Sequence, residues 1–254
     1  IEKFLHKWQI KGASLVILNN EKLVYAKGYG YSDEEAGIEV EPFHTFRIAS
    51  VSKLVTAVAI MKLVEDAKLS LNDRVFGQDG ILNDSIYLNY TDERFENITV
   101  HHLLMHKAGW TARWGDHMFI PHSIAKQMQK ELPIKDETYI EFALSKRLHY
   151  TPGRYYSYSN LGYVILGKVI EKVSQKPYEQ YVQEEILAPV GIYDMQIGQN
   201  LFEDKALFEV KYYEQGNERK SLSIYNKEEL VPKAYGGNDI NALGAAGGWI
   251  ASAP

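Results

Sequence analysis

The spacing of apolar residues divides the chain into strands near its start and helices through its middle. Two mainly apolar segments, residues 13–18 and 23–29, predict two strands, and the polar turn between them indicates a β-hairpin. An amphipathic helix over residues 2–9 precedes this hairpin, with its apolar side chains on one side. The start of the chain therefore predicts one helix followed by an antiparallel pair of strands.

Helical periodicity dominates the middle of the chain, beginning with the apolar run at residues 54–64. Thr99 is a suitable N-cap for the next helix, and Gly109 ends that helix. The predicted helices after the apolar run cover residues 100–106, 139–145, 161–173 and 178–186, and weaker strand patterns cover 208–213 and 221–225. This distribution favours an α+β fold in which a helical region is inserted between parts of an antiparallel sheet.

Composition narrows the function classes without selecting one. The 254 residues suffice for one large domain or two interleaved domains with a substantial core. The net charge of -5 and the lack of a basic stripe argue against a nucleic-acid partner. No cysteine occurs, which excludes disulfides, thiol catalysis and thiolate metal ligands. No apolar stretch is long enough to cross a membrane.

The strongest chemical signal is a serine and a lysine three residues apart, Ser50 and Lys53, at the start of the apolar run. A helix here places Ser50 at its N-terminus and Lys53 one turn further on the same face. The helix is apolar on all sides, which predicts burial, and burial disfavours the charged form of a lysine. A neutral Lys53 amine could accept the Ser50 proton and make that serine a nucleophile. Unpaired backbone N–H groups at the helix end would stabilise an oxyanion.

The same spacing has a simpler interpretation, because a Ser-x-x-Lys pattern arises by chance about once in a chain of this length. Ser123 and Lys126 form a second copy, but polar residues follow them and indicate a solvated helix with a charged lysine. In the simpler interpretation of the first copy, Ser50 is only an N-cap and Lys53 a lysine whose amine reaches solvent.

Tyr158 and Asn160 are a second chemical candidate. They flank one residue, so in an extended or turn segment their side chains point the same way. The phenol can relay or accept a proton, and the amide can donate to a substrate carbonyl while accepting from a lysine. Tyr87 and Asn89 repeat this spacing in a polar stretch, so the spacing alone does not assign a site.

Taken together, four stretches resemble the serine β-lactamase and penicillin-binding protein superfamily, in its branch of class C β-lactamases, D-alanyl-D-alanine carboxypeptidases and related esterases. Ser-x-x-Lys is among the signatures of such enzymes. The residues from 166 to 191 also resemble the family, so the resemblance spans nearly the whole chain. In chain order, the four stretches are FRIASVSK at 46–53, ITVHHLLMH at 98–106, Pro152-Gly153 with YSYSNLGY at 156–163, and GAAGGW at 244–249.

The resemblance implies a β-lactamase/transpeptidase-like fold and a serine hydrolase that forms an acyl-enzyme on an amide or ester. Ser50 would be the nucleophile, Lys53 and Tyr158 would share the proton transfers, and Asn160 would orient the substrate and the lysine. The competing hypothesis is a non-catalytic sensor or binding module that keeps the pocket. No cofactor or metal is implied, and the substrate would be a small molecule or a peptidoglycan peptide. Export to the periplasm or cell envelope is expected from the same resemblance.

The resemblance also implies a division of the chain. We expect residues 1–66 to form the N-terminal part of an α/β domain with the nucleophile helix, and residues 67–205 to form a mostly helical lobe. Residues 206–254 would return towards the α/β domain.

His102 and His106 are four apart on a predicted helix, but a third metal ligand at a defined spacing is lacking. We therefore interpret His106 as a packing or hydrogen-bonding residue.

One family motif has no counterpart in this sequence. Relatives close the site with Lys-Thr-Gly or His-x-Gly on an edge strand downstream of the Gly-Gly segment, whereas this sequence ends at Pro254, shortly after Trp249. We therefore expect the natural protein to continue, so that this chain is C-terminally truncated. The 254 residues alone would then leave an exposed sheet edge and an open cleft wall, with weak activity or none.

Overall fold

The computed structural model of the protein describes residues 1–214 and 220–254, and all of their side chains except that of Trp114. The described helices are α1 (Glu2–Trp8), α2 (Ser52–Glu65), α3 (Val100–Leu104), α4 (Pro121–Met128), α5 (Asp136–Leu144), α6 (Asn160–Ser174), α7 (Tyr178–Val182) and α8 (Ile240–Gly247). The described strands are β1 (Gly12–Asn19), β2 (Lys22–Asp33), β3 (Ile38–Glu39), β4 (Phe46–Arg47), β5 (Gln196–Ile197), β6 (Ser221–Leu222), β7 (Leu230–Val231) and β8 (Trp249–Ala251). This mixture confirms the α+β class.

The predicted N-terminal hairpin is present. Strands β1 and β2 pair antiparallel, and the two residues that join them, Asn20 and Glu21, have φ values of 49° and 61°. Two positive φ values are characteristic of the two-residue loops whose twist matches that of the flanking strands. Strand β3 adds to β2, so that β1 lies at an edge of this sheet within the described residues. An edge strand carries unpaired backbone groups.

A second small sheet brings together segments that are distant in the sequence. Its order is β4-β8-β5, with Phe46 opposite Ala251 and Arg47 opposite Ile250. Strand β4 leads directly into the turn that carries Ser50, and β8 follows the Gly-Gly segment. The first and last of the four family-like stretches are therefore neighbours in space.

The core lies among the helices. Helix α6 is buried along most of its length and packs against α2, α3 and α8. Trp249 and Tyr139 are the largest of the fully buried side chains. Other fully buried side chains from several elements complete this core: Phe76, Phe95, Ile60, Leu63, Leu103, Ile124, Ile140 and Leu144. Helix α6 is thus the central support for the segments on either side of it.

The expectation that the nucleophile helix is buried on all sides is wrong. Val51, Leu54, Val58 and Met61 form one stripe, and their exposed fractions are 55%, 67%, 52% and 47%. Among the described elements, α6, α7 and α8 pack on the other side of α2. An apolar helix can be buried all round, but its neighbours decide which faces are covered, and the sequence of the helix does not contain them.

The predicted strand over residues 208–213 is absent. The Val210 N–H donates to the carbonyl of Thr45 (3.1 Å), and the next N–H, that of Lys211, donates to the carbonyl of Ser32 (2.8 Å). Because successive N–H groups bond to two different segments, no regular ladder forms. The second late strand is shorter than predicted: only Ser221–Leu222 of residues 221–225 pairs, antiparallel to β7.

Within residues 1–214 and 220–254, no helix has the length and apolar character needed to cross a bilayer.

Replacing Gly167 by alanine should destabilise the protein because α6 and α8 are in close contact there. A Cβ atom at Gly167 would lie 2.9 Å from the Ala245 Cβ, which forces one helix to move. We expect a loss of about 1–3 kcal/mol in the free energy of unfolding, the usual cost of overpacking. Urea or thermal unfolding measures it.

Gly162→Ala is the matched control in the same helix. A Cβ atom there would lie 3.8 Å from its nearest neighbour, an ordinary contact. Alanine is favoured over glycine in helices by about 0.5–1 kcal/mol, so this variant should be as stable as the parent or slightly more stable. Equal effects of the two substitutions would contradict the close packing of α6 on α8.

Candidate active site

Ser50 lies at the junction of the small sheet and the helical core. A single 3-10 turn, Ala49–Val51, connects β4 to α2, so Ser50 sits just before the α-helix rather than inside it. Ala49 has a φ of 45°. A non-glycine residue in this region of φ costs about 1–3 kcal/mol, and such strain occurs often at functional sites. The Ile48 N–H donates to the Trp249 carbonyl (3.0 Å), which fixes the turn to the Gly-Gly segment.

Lys53 is buried, with 6% of its surface exposed, and its amine is surrounded by acceptors. Its Nζ lies 3.2 Å from Ser50 Oγ, 2.7 Å from Asn160 Oδ1 and 2.5 Å from the Ala246 carbonyl oxygen. The last two oxygens can only accept hydrogen bonds. An amine that donates two N–H groups to them directs its third position towards Ser50.

Tyr158 is the second polar neighbour of Ser50. Its Oη lies 2.6 Å from Ser50 Oγ, and 39% of its surface is exposed. The Lys53 Nζ lies 4.9 Å from the centroid of the Tyr158 ring and 5.5 Å from that of Tyr163. A cation at these distances is attracted by the ring faces. The structure therefore brings together Ser50, Lys53 and Tyr158, three of the four residues singled out from the sequence.

Asn160, the fourth, is the first residue of α6 and is 8% exposed. Ser159 caps the helix by accepting a hydrogen bond from the Gly162 N–H (3.1 Å). The Asn160 side chain accepts from Lys53 and donates through Nδ2 to Asp116 Oδ2 (3.1 Å). The amide is thus held on both sides, by a donor at its oxygen and an acceptor at its nitrogen.

The end of α8 provides the carbonyl that contacts Lys53, and α2 holds this segment in place. Thr56 Oγ1 donates to the Ala245 carbonyl (2.6 Å), and Ser52 Oγ accepts from the Trp249 N–H (3.2 Å). Both side chains are completely buried. Because Ala245 and Trp249 flank Ala246, the two hydrogen bonds fix the position of its carbonyl.

His106 packs against two tyrosines of the site and contacts the segment that carries Tyr158. Its ring lies 4.5 Å from the Tyr158 ring and 5.1 Å from the Tyr163 ring, centroid to centroid, and its Nδ1 accepts from the Ser159 N–H (3.1 Å). Burial lowers the pKa of His106, and the positive charge of Lys53 lowers it further. The geometry agrees with a packing and hydrogen-bonding role.

His102 also uses its ring within the chain. Its Nδ1 accepts from the Thr99 N–H (3.3 Å), while Thr99 Oγ1 accepts from the His102 N–H, so the two residues cap α3 reciprocally. In the part of the chain that the structure describes, no three His, Cys, Asp or Glu side chains are placed to share a metal ion.

The second Ser-x-x-Lys copy has different surroundings. Ser123 and Lys126 are both exposed on α4, and Ser123 Oγ accepts from the Gln127 side chain (3.2 Å). A solvated lysine has no desolvation to favour its neutral form. The two copies therefore differ in burial rather than in spacing.

Two polar neighbours of the site were not predicted. The Ala246 carbonyl is a backbone group, and nothing in the residue type reveals it. Asp116 follows Gly115 and caps a short 3-10 turn by accepting from the Met118 N–H (2.9 Å). An aspartate after a glycine is a local signal for such a cap, but its approach to Asn160 depends on the tertiary fold.

A groove with a volume of about 940 Å³ lies elsewhere, between α1, β1, β2 and residues 210–214. Ser50 and Lys53 do not line it. The candidate site is at Ser50, because a buried amine and a phenol converge on one hydroxyl there.

The chain is similar in sequence to known proteins of one family. The sequence model of the beta-lactamase family matches residues 1–254, the whole chain. Protein flp of Staphylococcus aureus (strain MW2) is 33% identical over 193 residues, which are 75% of this chain and 35% of that protein. The chain therefore spans about a third of the length of this curated relative.

Solved structures share the fold. The octameric penicillin-binding protein homologue from Pyrococcus abyssi superposes with a TM-score of 0.71 at 32% identity, over 99% of this chain and 52% of that one. D-amino acid amidase from Ochrobactrum anthropi SV3 has the same TM-score at 19% identity, over 99% of this chain and 64% of that one. The β-lactamase/transpeptidase-like fold expected from the motifs is confirmed.

The lowered pKa of His106 predicts how stability depends on pH. An unfolded histidine takes up a proton near pH 6.5, whereas folded His106 stays neutral to lower pH, so acid favours the unfolded state. This stabilisation is complete above about pH 6.5 and is lost as the pH falls through the folded pKa. We expect the melting temperature to decrease from pH 7 to pH 5.

His106→Asn tests the assignment. Asparagine tolerates the left-handed backbone at this position (φ 54°) and keeps a side-chain acceptor, but it does not titrate. The decrease in melting temperature between pH 7 and pH 5 should be smaller in this variant. His102 and His117 also have pKa values lowered by burial, so part of the dependence should remain. An unchanged pH dependence would contradict the role given to His106.

Proposed function

Since this chain belongs to the beta-lactamase family, we propose that it is a serine hydrolase that acts through an acyl-enzyme on Ser50. The observation that carries the proposal is the convergence of two polar groups on one hydroxyl: Lys53 Nζ at 3.2 Å and Tyr158 Oη at 2.6 Å from Ser50 Oγ. Both distances are within the range in which a proton can be transferred.

Acylation would proceed as follows. Ser50 Oγ attacks the carbonyl carbon of an amide or ester, and its proton passes to the Lys53 amine. The carbonyl oxygen becomes an oxyanion, which the Ser50 backbone N–H stabilises. As the oxyanion collapses, the bond to the leaving nitrogen or oxygen breaks, and Tyr158 relays a proton to that atom. Water then attacks the acyl-enzyme and releases the acid.

The surroundings of Lys53 support its role as the base. In the neutral form, its two N–H groups bond to Asn160 Oδ1 and to the Ala246 carbonyl, so that the lone pair faces Ser50. Removing either acceptor would let the amine rotate away from this direction. Asn160 accepts a hydrogen bond from Lys53 and is the residue that we assign to the orientation of substrate and lysine.

Membership of the family supports a substrate class. We propose an amide or ester of a small molecule or of a peptidoglycan peptide, without a metal or an organic cofactor. A peptidoglycan substrate would require the exported location that the sequence resemblance implies. The activity of the whole protein is part of this proposal, because the match covers only 35% of Protein flp and 52% of the Pyrococcus abyssi homologue.

Covalent labelling tests the nucleophile. A fluorophosphonate or a reactive β-lactam should add to Ser50, because that hydroxyl alone among the assigned residues contacts both a buried amine and a phenol. Peptide mass spectrometry should locate the mass increase at Ser50, and Ser50→Ala should abolish it. Ser123→Ala is the matched control and should be labelled like the parent. Labelling at Ser123 would overturn the assignment.

The same experiment separates an enzyme from a binding module. If the acyl group that an ester or a β-lactam leaves on Ser50 is released with time and free acid accumulates, the protein turns over. A permanent adduct with every ester and β-lactam tested would instead favour the non-catalytic sensor.

Two substitutions test the proton transfers. Lys53→Arg keeps a cation but cannot provide a neutral base, and Tyr158→Phe keeps the ring but removes the hydroxyl. Each should reduce the rate of Ser50 acylation by about 10²–10⁴-fold, the usual contribution of general acid–base catalysis. The control Lys126→Arg, on the exposed second copy, should leave the rate unchanged. Near-normal acylation in either site variant would show that the residue does not transfer the proton.

A further inference from the structure

We propose that Asp116 is a positioning residue that fixes the direction of the Asn160 side-chain amide and thereby keeps the lone pair of Lys53 available to Ser50. The inference rests on the proposed function, since it concerns the same proton transfer. It assigns a role to a carboxylate that belongs to none of the four family-like stretches.

In the contact between Asp116 and Asn160, the carboxylate accepts both hydrogen bonds and donates none. Asp116 Oδ2 accepts from the Asn160 side-chain Nδ2 (3.1 Å) and from the Asn160 backbone N–H (3.3 Å). A carboxylate can only accept hydrogen bonds, whereas an amide both donates and accepts. Asp116 therefore binds the nitrogen end of the amide, and the oxygen end must face Lys53.

The direction of the amide decides what Lys53 can do. With Oδ1 towards the amine, Asn160 accepts an N–H at 2.7 Å and leaves the lone pair for the Ser50 proton. With the amide reversed, Nδ2 would face the amine and donate to that lone pair. The base would then be occupied by Asn160, while Lys53 would lose one of its two obligate acceptors.

Helix capping accounts for only one of the two hydrogen bonds that Asp116 accepts from Asn160, the one from the backbone N–H. The N-cap of α6 is Ser159, whose Oγ already accepts from the Gly162 N–H. The carboxylate instead bonds to the first residue of the helix through both backbone and side chain. The hydrogen bond from Asn160 Nδ2 to Asp116 contributes nothing to the helix cap, and it is this bond that fixes the orientation of the Asn160 amide.

The loop before Asp116 delivers its carboxylate in a fixed orientation. Gly115 has a φ of 106° and a ψ of 147°, a backbone region that side chains other than glycine rarely adopt. Asp116 Oδ1 accepts from the Met118 N–H (2.9 Å), and Met118 is 2% exposed, so the turn is anchored in the core. One carboxylate oxygen therefore holds the turn while the other holds Asn160.

Asp116→Asn is the sharpest substitution, because it preserves the size of the side chain and can still accept a hydrogen bond. It can also donate, so it no longer forces the Asn160 amide into one direction. We expect phosphonylation of Ser50 by a fluorophosphonate, in which Oγ attacks phosphorus and fluoride leaves, to slow about 10-fold or more, while the melting temperature changes little. Asp92→Asn is the matched control, since Asp92 also caps a 3-10 turn, through the Arg94 N–H (3.1 Å), away from Ser50. It should lower stability and leave acylation unchanged.

A double-mutant cycle separates positioning from a general structural effect. If Asp116 acts only through the Asn160 amide, Asp116→Asn should have no further effect in the Asn160→Ala background. The fluorophosphonate is reactive enough for slow labelling of Ser50 to be followed by mass spectrometry over hours. Equal fold-losses in the labelling rate in both backgrounds would overturn the proposal, as would a parental labelling rate in Asp116→Asn.

The orientation can also be measured without any activity. In NMR spectra of the parent, one Asn160 side-chain amide proton should exchange slowly with solvent because a carboxylate holds it, and Asp116→Asn should speed that exchange. Fast exchange in the parent would contradict the contact. The proposed function fails separately: it fails if the parent protein is not labelled at Ser50, whereas the positioning role fails if labelling occurs and Asp116 does not affect it.

Discussion

The burial of one amine, Lys53 Nζ, is the constraint on which the arrangement of the site depends. An amine taken out of water must find acceptors, or it costs several kcal/mol. Here the acceptors come from the turn that carries Ser50, from the start of α6 and from the end of α8. These segments are 3, 107 and 193 residues away from Lys53 in the sequence. Satisfying a single buried group therefore requires two segments that are distant in the sequence, the start of α6 and the end of α8, to meet at the Ser50 turn.

The packing explains how such distant segments are held at hydrogen-bond distances. The β4-β8 pairing places the Gly-Gly segment beside the Ser50 turn, and the close approach of Gly167 to Ala245 brings α8 against α6. Ser52 and Thr56 then bond α2 to the backbone on either side of Ala246. The core fixes the backbone positions around the site, and these positions hold the reactive side chains at hydrogen-bond distances.

Local patterns predicted several helices closely, and the four candidate site residues that they singled out lie together in the structure. The predicted helix 161–173 differs from Asn160–Ser174 by one residue at each end, because its apolar periodicity is strong. The spacing of Ser50 and Lys53 was sufficient to place them on one face. Burial then distinguished this pair from Ser123 and Lys126, as the flanking residues had indicated.

The features that local sequence patterns did not predict depend on tertiary neighbours. The stripe that begins at Val51 is exposed because the described elements pack on the other side of α2, and residues 208–213 bond to two segments at once. The Ala246 carbonyl and the approach of Asp116 to Asn160 have no signal in residue type. Each of these features depends on residues that are distant in the sequence and close in space. Periodicity along the chain carries no information about such neighbours.

A crystal structure of the protein after reaction with a fluorophosphonate tests the central claim most directly. The account predicts a covalent bond to Ser50 Oγ, with Lys53 Nζ still within hydrogen-bond distance of Asn160 Oδ1 and the Ala246 carbonyl. An adduct on another residue, or a Lys53 side chain turned away from both acceptors, would contradict it.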